Sequence, residues 1–200
     1  MAVAVSILTL DRLQRALPRL KREPDEAESY VDPLNLALEQ FEINTPVRVA
    51  CFLAQIGHES GDLKYWEEIW GPTSQQKKYE PPSGLAERLG NTEPGDGKRF
   101  KGRGPIQLTG RANYRKYGEL LGVNFEDDPG LVARPRWGFL VAGLFWQEND
   151  CNELADATLD GGMDAFAKLT RRINGGLTGL SDRLKRWELA KQVFLSKSDF

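Results

Sequence analysis

The run WGFLVAGLFW, from Trp137 to Trp146, constrains the fold of this chain more than any other stretch. It is almost wholly apolar, and a helix apolar on every side must be enclosed by other elements. It therefore predicts a central helix with a shell packed around it. Thr9 can cap a first shell helix in which Leu10, Leu13, Leu17 and Leu20 keep helical spacing, with Pro18 as its stop or kink. KREPDEAES is charged and reads as a surface connection. Asp32-Pro33, a cap followed by a first-turn proline, opens a second helix with Leu34, Ala37, Leu38 and Phe41 on one face. Asn44-Thr45-Pro46 repeats that start and opens a third. Its stripe is Val49, Phe52, Leu53 and Ile56, and Gly61-Asp62 ends it. RANYRKYGELLG is helical, with Tyr114, Tyr117 and Leu121 on one side and Gly122 as the stop. A helix from Asp164 carries Phe166, Leu169 and Ile173 and ends at Asn174-Gly175-Gly176. A last one from about Ser181 turns Leu184, Trp187, Ala190 and Phe194 inward.

Two segments break the pattern. Residues 70–99 are rich in Gly, Pro and polar side chains, and form either a flexible insertion or a wall of a binding groove. RFKGRGPIQLTG, Arg99 to Gly110, is too glycine-rich for a helix and suits a short hairpin or bulged strand. The expectation is a mainly α fold with at most a small β element. No repeat or linker divides the chain, so residues 1–200 are expected to form a single catalytic domain with no separate wall-binding domain.

Composition narrows the function. A net charge of −2, with basic residues spread along the 200-residue chain, excludes the clustered positive footprint of a nucleic-acid binder. No apolar run reaches the roughly 18 residues of a membrane span, so no stable membrane insertion is expected. The N-terminal MAVAVSILTLDRLQ has no basic n-region and no convincing cleavage site, and reads as mature protein. LAKQVFLSKSDF, at the other end, reads as a packed terminal helix rather than a membrane-touching one. One His and two separated cysteines, Cys51 and Cys151, make no zinc set. Neither metal nor cofactor is expected, and the chain is expected to be a monomer.

The third helix carries the first chemical signal. The turn after Ile56 would be reached at Glu59 or Ser60, so a carboxylate stands where the stripe asks for an apolar side chain. Partial desolvation disfavours the anion, which suits a general acid; the ordinary alternative is a helix-end Glu turned to solvent. Glu68 lies nine residues on. In one continuous helix that spacing puts the two carboxylates about 180° apart, so a shared site needs the break that Gly61-Asp62 supplies. Inverting glycoside hydrolysis uses two carboxyls about 6.5–9.5 Å apart with a water between them. Glu67 and Glu80 are rivals for the second carboxylate. Gln107, Thr109, Asn113 and Asn174 can hydrogen-bond sugars, and Tyr65, Trp66, Trp70 and Tyr79 can stack on them. Each also has a plain structural reading: core aromatics, or a helix C-cap for Asn174. Arg183 reads as a surface charge pair, and His58 as a hydrogen-bonded scaffold residue.

FLAQIGHES (Phe52 to Ser60), GRGPIQLTGRANY (Gly102 to Tyr114) and RRINGGLTGLSDR (Arg171 to Arg183) together resemble the signature blocks of glycoside hydrolase family 19. This family comprises chitinase and lysozyme-like enzymes, many phage endolysins among them. The blocks stand in the family's order, and the similarity runs from about Leu34 to Phe194. The resemblance implies a lysozyme-like two-lobed helical fold with a small hairpin beside the groove, and inverting hydrolysis of β-1,4 links between N-acetylated aminosugars. It makes Glu59 the general acid and Glu68 the general base, with the base in longer plant members nearer Glu80. It also makes Thr109 the residue that positions the water. Gln107, Asn113, Asn174 and Arg183 match substrate-contacting or site-organising positions, and Trp66 is added as a sugar contact. The plant cysteine framework and secretory signal are missing. That departure points to an endolysin acting on peptidoglycan, made in a bacterial host's cytoplasm and reaching the wall after release. Chitin cleavage, lytic transglycosylation and a non-catalytic wall-binding role are the alternatives.

Overall fold

The computed structural model describes residues 7–196. The expectations for the first six residues and the last four, at either end of the chain, lie outside them. The described chain is helical: α1 Leu10–Ala16, α2 Pro24–Gln40, α3 Pro46–Ser60, α4 Gly84–Leu89, α5 Asp96–Arg99, α6 Arg111–Leu121, α7 Pro135–Glu148, α8 Cys151–Asp156, α9 Thr158–Asn174 and α10 Leu180–Phe194. None of them is long and apolar enough to cross a membrane.

Two compact units divide the chain. One comprises the residues up to Leu63 together with those from Gly143 onward; the other is Lys64–Ala142. In the first, α3 packs chiefly on α10 and is enclosed from Val49 to Gly57. Phe52 meets the Trp146 ring edge-on at 5.2 Å, and Phe166 stacks on Trp187 at 4.6 Å. In the second, Phe139, Phe100 and Tyr114 form the centre, with Trp66 edge-on to Phe139 at 5.2 Å and Phe100 beside Tyr114 at 5.4 Å. The apolar run that predicted α7 serves both cores. Its first half gives Phe139 and Leu140 to the second unit, and its second half gives Leu144 and Trp146 to the first.

Helix starts follow local chemistry. Thr9 and Thr45 accept from the backbone N–H groups of Arg12 and Arg48, capping α1 and α3 as their positions predict. The start of α2 differs. It begins at Pro24, not Asp32, and Pro33 lies inside the helix. Ala27 and Tyr30 extend the Leu34, Ala37, Leu38 stripe backward, and burial of that longer face outweighs the hydrogen bond Pro33 forfeits. Residues 70–99 are more ordered than composition suggests, holding α4, α5 and a 3₁₀ turn, Gln76–Tyr79. The predicted hairpin is reduced to two isolated bridges, Glu67 with Arg103 and Arg103 with Leu108; no strand is formed among the described residues. Left-handed backbone at Gly104, Gln107 and Gly110 bends this segment too sharply for a ladder to extend. Outside residues 70–99, α8, a 3₁₀ helix at Pro129–Ala133 and the kink at Gly162 (φ 52°) inside α9 also escaped prediction; after the kink the regular helix resumes close to Asp164.

Candidate active site

The C-terminal turn of α3 presents Glu59. Ser60 closes the helix by donating its hydroxyl to the Ile56 carbonyl at 2.6 Å and accepting the Leu63 N–H at 2.9 Å. Gly61, Asp62 and Leu63 then all take left-handed backbone, and Asp62 N–H returns to the Gly57 carbonyl at 2.8 Å. Three consecutive left-handed residues, two with side chains, persist only where neighbours hold them. Arg19 supplies that hold, donating to the Asp62 carbonyl at 2.9 Å and the Leu63 carbonyl at 3.2 Å, and Arg186 pairs with the Asp62 carboxylate. The chain therefore turns sharply one residue after the last turn of α3, leaving Glu59 half-buried at its rim.

Arg183, in the first turn of α10, is 1% exposed, so it is no surface charge pair. Its guanidinium donates to the Glu59 carboxylate and, at 2.5 Å, to the Gln55 side-chain oxygen. Adjacent residues repeat the pairing: His58 Nδ1 lies 2.7 Å from Asp182 Oδ2, and Asp182 also accepts from Arg186 at 2.6 Å. Burial pushes the Asp182 carboxyl up, but the bonds from Arg186 and His58 outweigh it and hold it below the usual range. Gly179 lies against the His58 ring with φ 73°, and any side chain there would collide with the imidazole. The His58 ring is thus held between the Asp182 carboxylate and the Gly179 backbone.

Glu68 belongs to the second unit. Its two carboxylate oxygens accept from the Gln76 amide at 2.9 Å and the Gly102 N–H at 3.1 Å. Gly102 is where several candidates gather. A Cβ there would come within 2.8 Å of Gln107 Oε1 and 3.3 Å of Thr109 Oγ1, which places both groups beside the backbone that binds Glu68. Gln107 donates to the Gly104 carbonyl at 3.0 Å, the Thr109 hydroxyl to the Gln107 carbonyl at 2.9 Å, and Asn113 to the Thr109 carbonyl at 2.7 Å. Burial raises the Tyr79 phenol, and the charge of Glu68 raises it further. Tyr79 lies 6.2 Å from Trp70, giving an aromatic pair beside the carboxylate.

The rival carboxylates have other duties. Glu67 pairs with Lys101 at 2.9 Å and Arg103 at 3.6 Å; burial raises its pKa, but those partners bring the net direction down. Glu80 accepts from Gly95 N–H at 2.8 Å and Lys98 N–H at 3.2 Å, at the start of α5. Trp66 turns its ring into the core against Phe139 and Gly138. Asn174 is exposed at the last position of α9, where Gly175 forms the cap. The structure thus joins Glu59, His58 and Arg183 in one unit and Glu68, Gln107, Thr109 and Asn113 in the other. Prediction passed over Gln55, Gln76 and Asp182. Gln55 carried a readable signal, as a polar residue inside the buried run VACFLAQIG. The other two are fixed by partners far away or in an irregular segment. No group of three or more His, Cys, Asp or Glu suited to a metal occurs among the described residues.

Half-buried carboxylates flanked by amides, a hydroxyl and aromatic rings on a helical scaffold are the equipment of a glycoside hydrolase. The sequence profile of glycoside hydrolase family 19, described as chitinase class I, matches residues 42–177. A family 19 domain-containing protein of Haemophilus influenzae is 32% identical over 185 residues, covering 81% of this chain and 88% of that protein. The chain belongs to glycoside hydrolase family 19. An endochitinase of Arabidopsis thaliana is 39% identical over 130 residues, 64% of this chain, but the match spans only 39% of the plant protein. Chitinase C of Streptomyces griseus superposes with a TM-score of 0.70 over 98% of this chain and 79% of its own, at 21% identity, a likeness of fold.

Proposed function

We propose that this chain is an inverting glycosidase cutting β-1,4 links between N-acetylated aminosugars, with bacterial peptidoglycan as its substrate. Glu59 gives its proton to the glycosidic oxygen as the bond from that oxygen to the anomeric carbon breaks, and the leaving sugar departs as an alcohol. Arg183 then faces the carboxylate left on Glu59. A water attacks the anomeric carbon from the opposite face, passes its proton to Glu68, and yields the inverted anomer. Thr109 orients that water: its proton is committed to the Gln107 carbonyl, so its lone pairs can accept from the water. Gln107, Asn113 and Asn174 serve as sugar contacts, with Trp66 supporting the wall behind Glu68.

The observation that carries this reading is the gathering of Glu68, Gln107 and Thr109 around Gly102, while Glu67 and Glu80 are engaged in ion pairing and helix capping. Peptidoglycan is preferred because the cysteine framework of the plant enzymes is missing: the chain has only Cys51 and Cys151, and both are free. We further propose synthesis in a bacterial cytoplasm and action on the wall after release as an endolysin-type monomer. Cys51 and Cys151 suit a reducing compartment, since both are free, buried thiols. A second reading, cleavage of chitin oligosaccharides, is favoured by the endochitinase relatives.

Two variants test the proposal. Glu59→Gln and Glu68→Gln should each lower hydrolysis at least about a hundredfold, the loss of an acid or a base. Lysis of outer-membrane-permeabilised cells and release from chitin oligosaccharides are measured side by side. Retention of most activity by either variant removes that residue from its role. Proton NMR of the first product should show the inverted anomer, and 1,6-anhydro ends on released muropeptides would refute hydrolysis.

A further inference from the structure

The Arg183 guanidinium is held by more than the carboxylate it faces. Gln55 and Glu59 stand one turn apart on α3, and both accept from the same arginine, one on each terminal nitrogen. The amide of Gln55 is itself fixed, since its nitrogen donates to the Thr170 hydroxyl of α9 at 3.0 Å. Gln55 and Thr170 are 0% exposed and Arg183 is 1% exposed, so water cannot replace either bond. The third nitrogen, Nε, reaches the Thr178 carbonyl only at 3.4 Å.

From this geometry we infer that Gln55 is a positioning residue: anchored by Thr170, it fixes the Arg183 guanidinium and through it the Glu59 carboxyl. The inference rests on the reading of Glu59 as the acid. A chain of side chains from α9 through α3 to α10 runs Thr170, Gln55, Arg183, Glu59, and only its last member is half-exposed. Arg183, which can only donate, takes the carbonyl end of the amide, and the Thr170 hydroxyl anchors the nitrogen end. With the carbonyl toward the guanidinium, the pairing is attractive; flipped, the amide N–H₂ would face a buried cation. The carbonyl also gives the buried guanidinium a partner whether Glu59 carries its proton or has surrendered it. Arg183 therefore need not move during a turnover, and the acid is kept aimed through both protonation states.

The test compares Gln55→Met, which keeps the volume and removes both hydrogen bonds, with Thr170→Val and Thr170→Ser. Steady-state kinetics are measured on chitin oligosaccharides or solubilised glycan strands, whichever the wild-type chain cleaves. Gln55→Met should lower kcat ten- to about a hundredfold with KM changed less than about twofold, the signature of a misaimed group. Thr170→Val should show the same split more weakly, and Thr170→Ser, which restores the hydroxyl, should recover wild-type kcat. In a Glu59→Gln background, Gln55→Met should lower the residual rate no further, because the group it aims is gone. A fall in melting midpoint with kcat unchanged in Gln55→Met or Thr170→Val reduces Gln55 to a packing residue and overturns the inference. If Gln55→Met does not fold, the Thr170 pair alone decides. Full activity in Glu59→Gln would instead overturn the acid assignment, an outcome that the single variants do not mimic.

Discussion

Four glutamates, Glu59, Glu67, Glu68 and Glu80, are candidates for the catalytic pair, and their partners separate them. Glu59 faces a buried arginine, and Glu68 accepts from an amide and a backbone N–H, with Gln107 and Thr109 at the same glycine. Glu67 sits between Lys101 and Arg103, a pairing that links it to the bridge residues of the irregular segment. Glu80 satisfies two of the otherwise unpaired N–H groups at the start of α5, and a Cβ at Gly97 would press within 2.7 Å of it. Removing charge from these two should therefore disturb structure more than turnover. Glu80→Gln keeps an acceptor but gives up a charge-assisted bond, and Glu67→Gln keeps an amide oxygen but gives up the charge that faces Lys101 and the buried Arg103. Both variants should keep hydrolytic rates within about threefold of wild type, far from the losses that follow removal of an acid or base. Rate assays set beside Glu68→Gln check this ranking. A collapse in Glu80→Gln with a mild Glu68→Gln would move the base to Glu80.

At the scale of elements, most helices were legible because their signals are local. Thr45-Pro46 and Gly61 mark both ends of α3 within the helix itself, and the stripe between them needs no knowledge of what covers it. The α2 start was misread for the same reason. Pro33 looks like a first-turn proline, and nothing local reports that Tyr30 and Ala27 bury their side chains one turn earlier. The site was legible in part: Glu59 and His58 stand in a periodic helix, whereas the burial of Arg183 depends on Gln55, 128 residues away. Gln76 could not be read as a partner of Glu68, because an irregular segment offers no period from which to infer direction. Pro33 also yields a prediction. It stands in the interior of a 17-residue helix with no N–H to give. Alanine there restores a helical hydrogen bond and removes the ring's clash with the preceding turn, a penalty of about 3 kcal/mol in a regular helix. Part of that is offset by the looser unfolded chain that alanine permits. Pro33→Ala should raise the melting midpoint by a few degrees with kcat unchanged. A lower midpoint would mean that the ring itself packs into the core.

For the whole molecule, the carboxylates with resolved shifts all point the same way. Glu26 and Asp182 in one unit, and Glu67, Asp96 and Glu126 in the other, are each held below their usual range. For Glu26, Asp182, Glu67 and Asp96, burial pushes upward and the partners outweigh it. For Glu126, the bonds from Arg115 and Arg111 dominate, and its carboxyl falls from 4.5 to about 2. A depressed folded value means that the unfolded chain takes up protons first. The stability these groups contribute is therefore complete above their unfolded values and drains away as pH falls toward the folded ones. Both units lose support as pH falls below the ordinary carboxylate range, and the unit that holds Glu126 goes on losing it down to about pH 2. Urea denaturation midpoints measured across that range should fall steadily and should change little between about pH 6 and 8. Glu126→Gln is the sharpest probe, because one carboxylate ties Arg111 and Arg115 together. The variant should be less stable at neutral pH, and the gap to wild type should narrow toward pH 2, where the wild-type carboxylate is also losing its charge. A gap that stays constant with pH would show that Glu126 stabilises by packing and not by its charge.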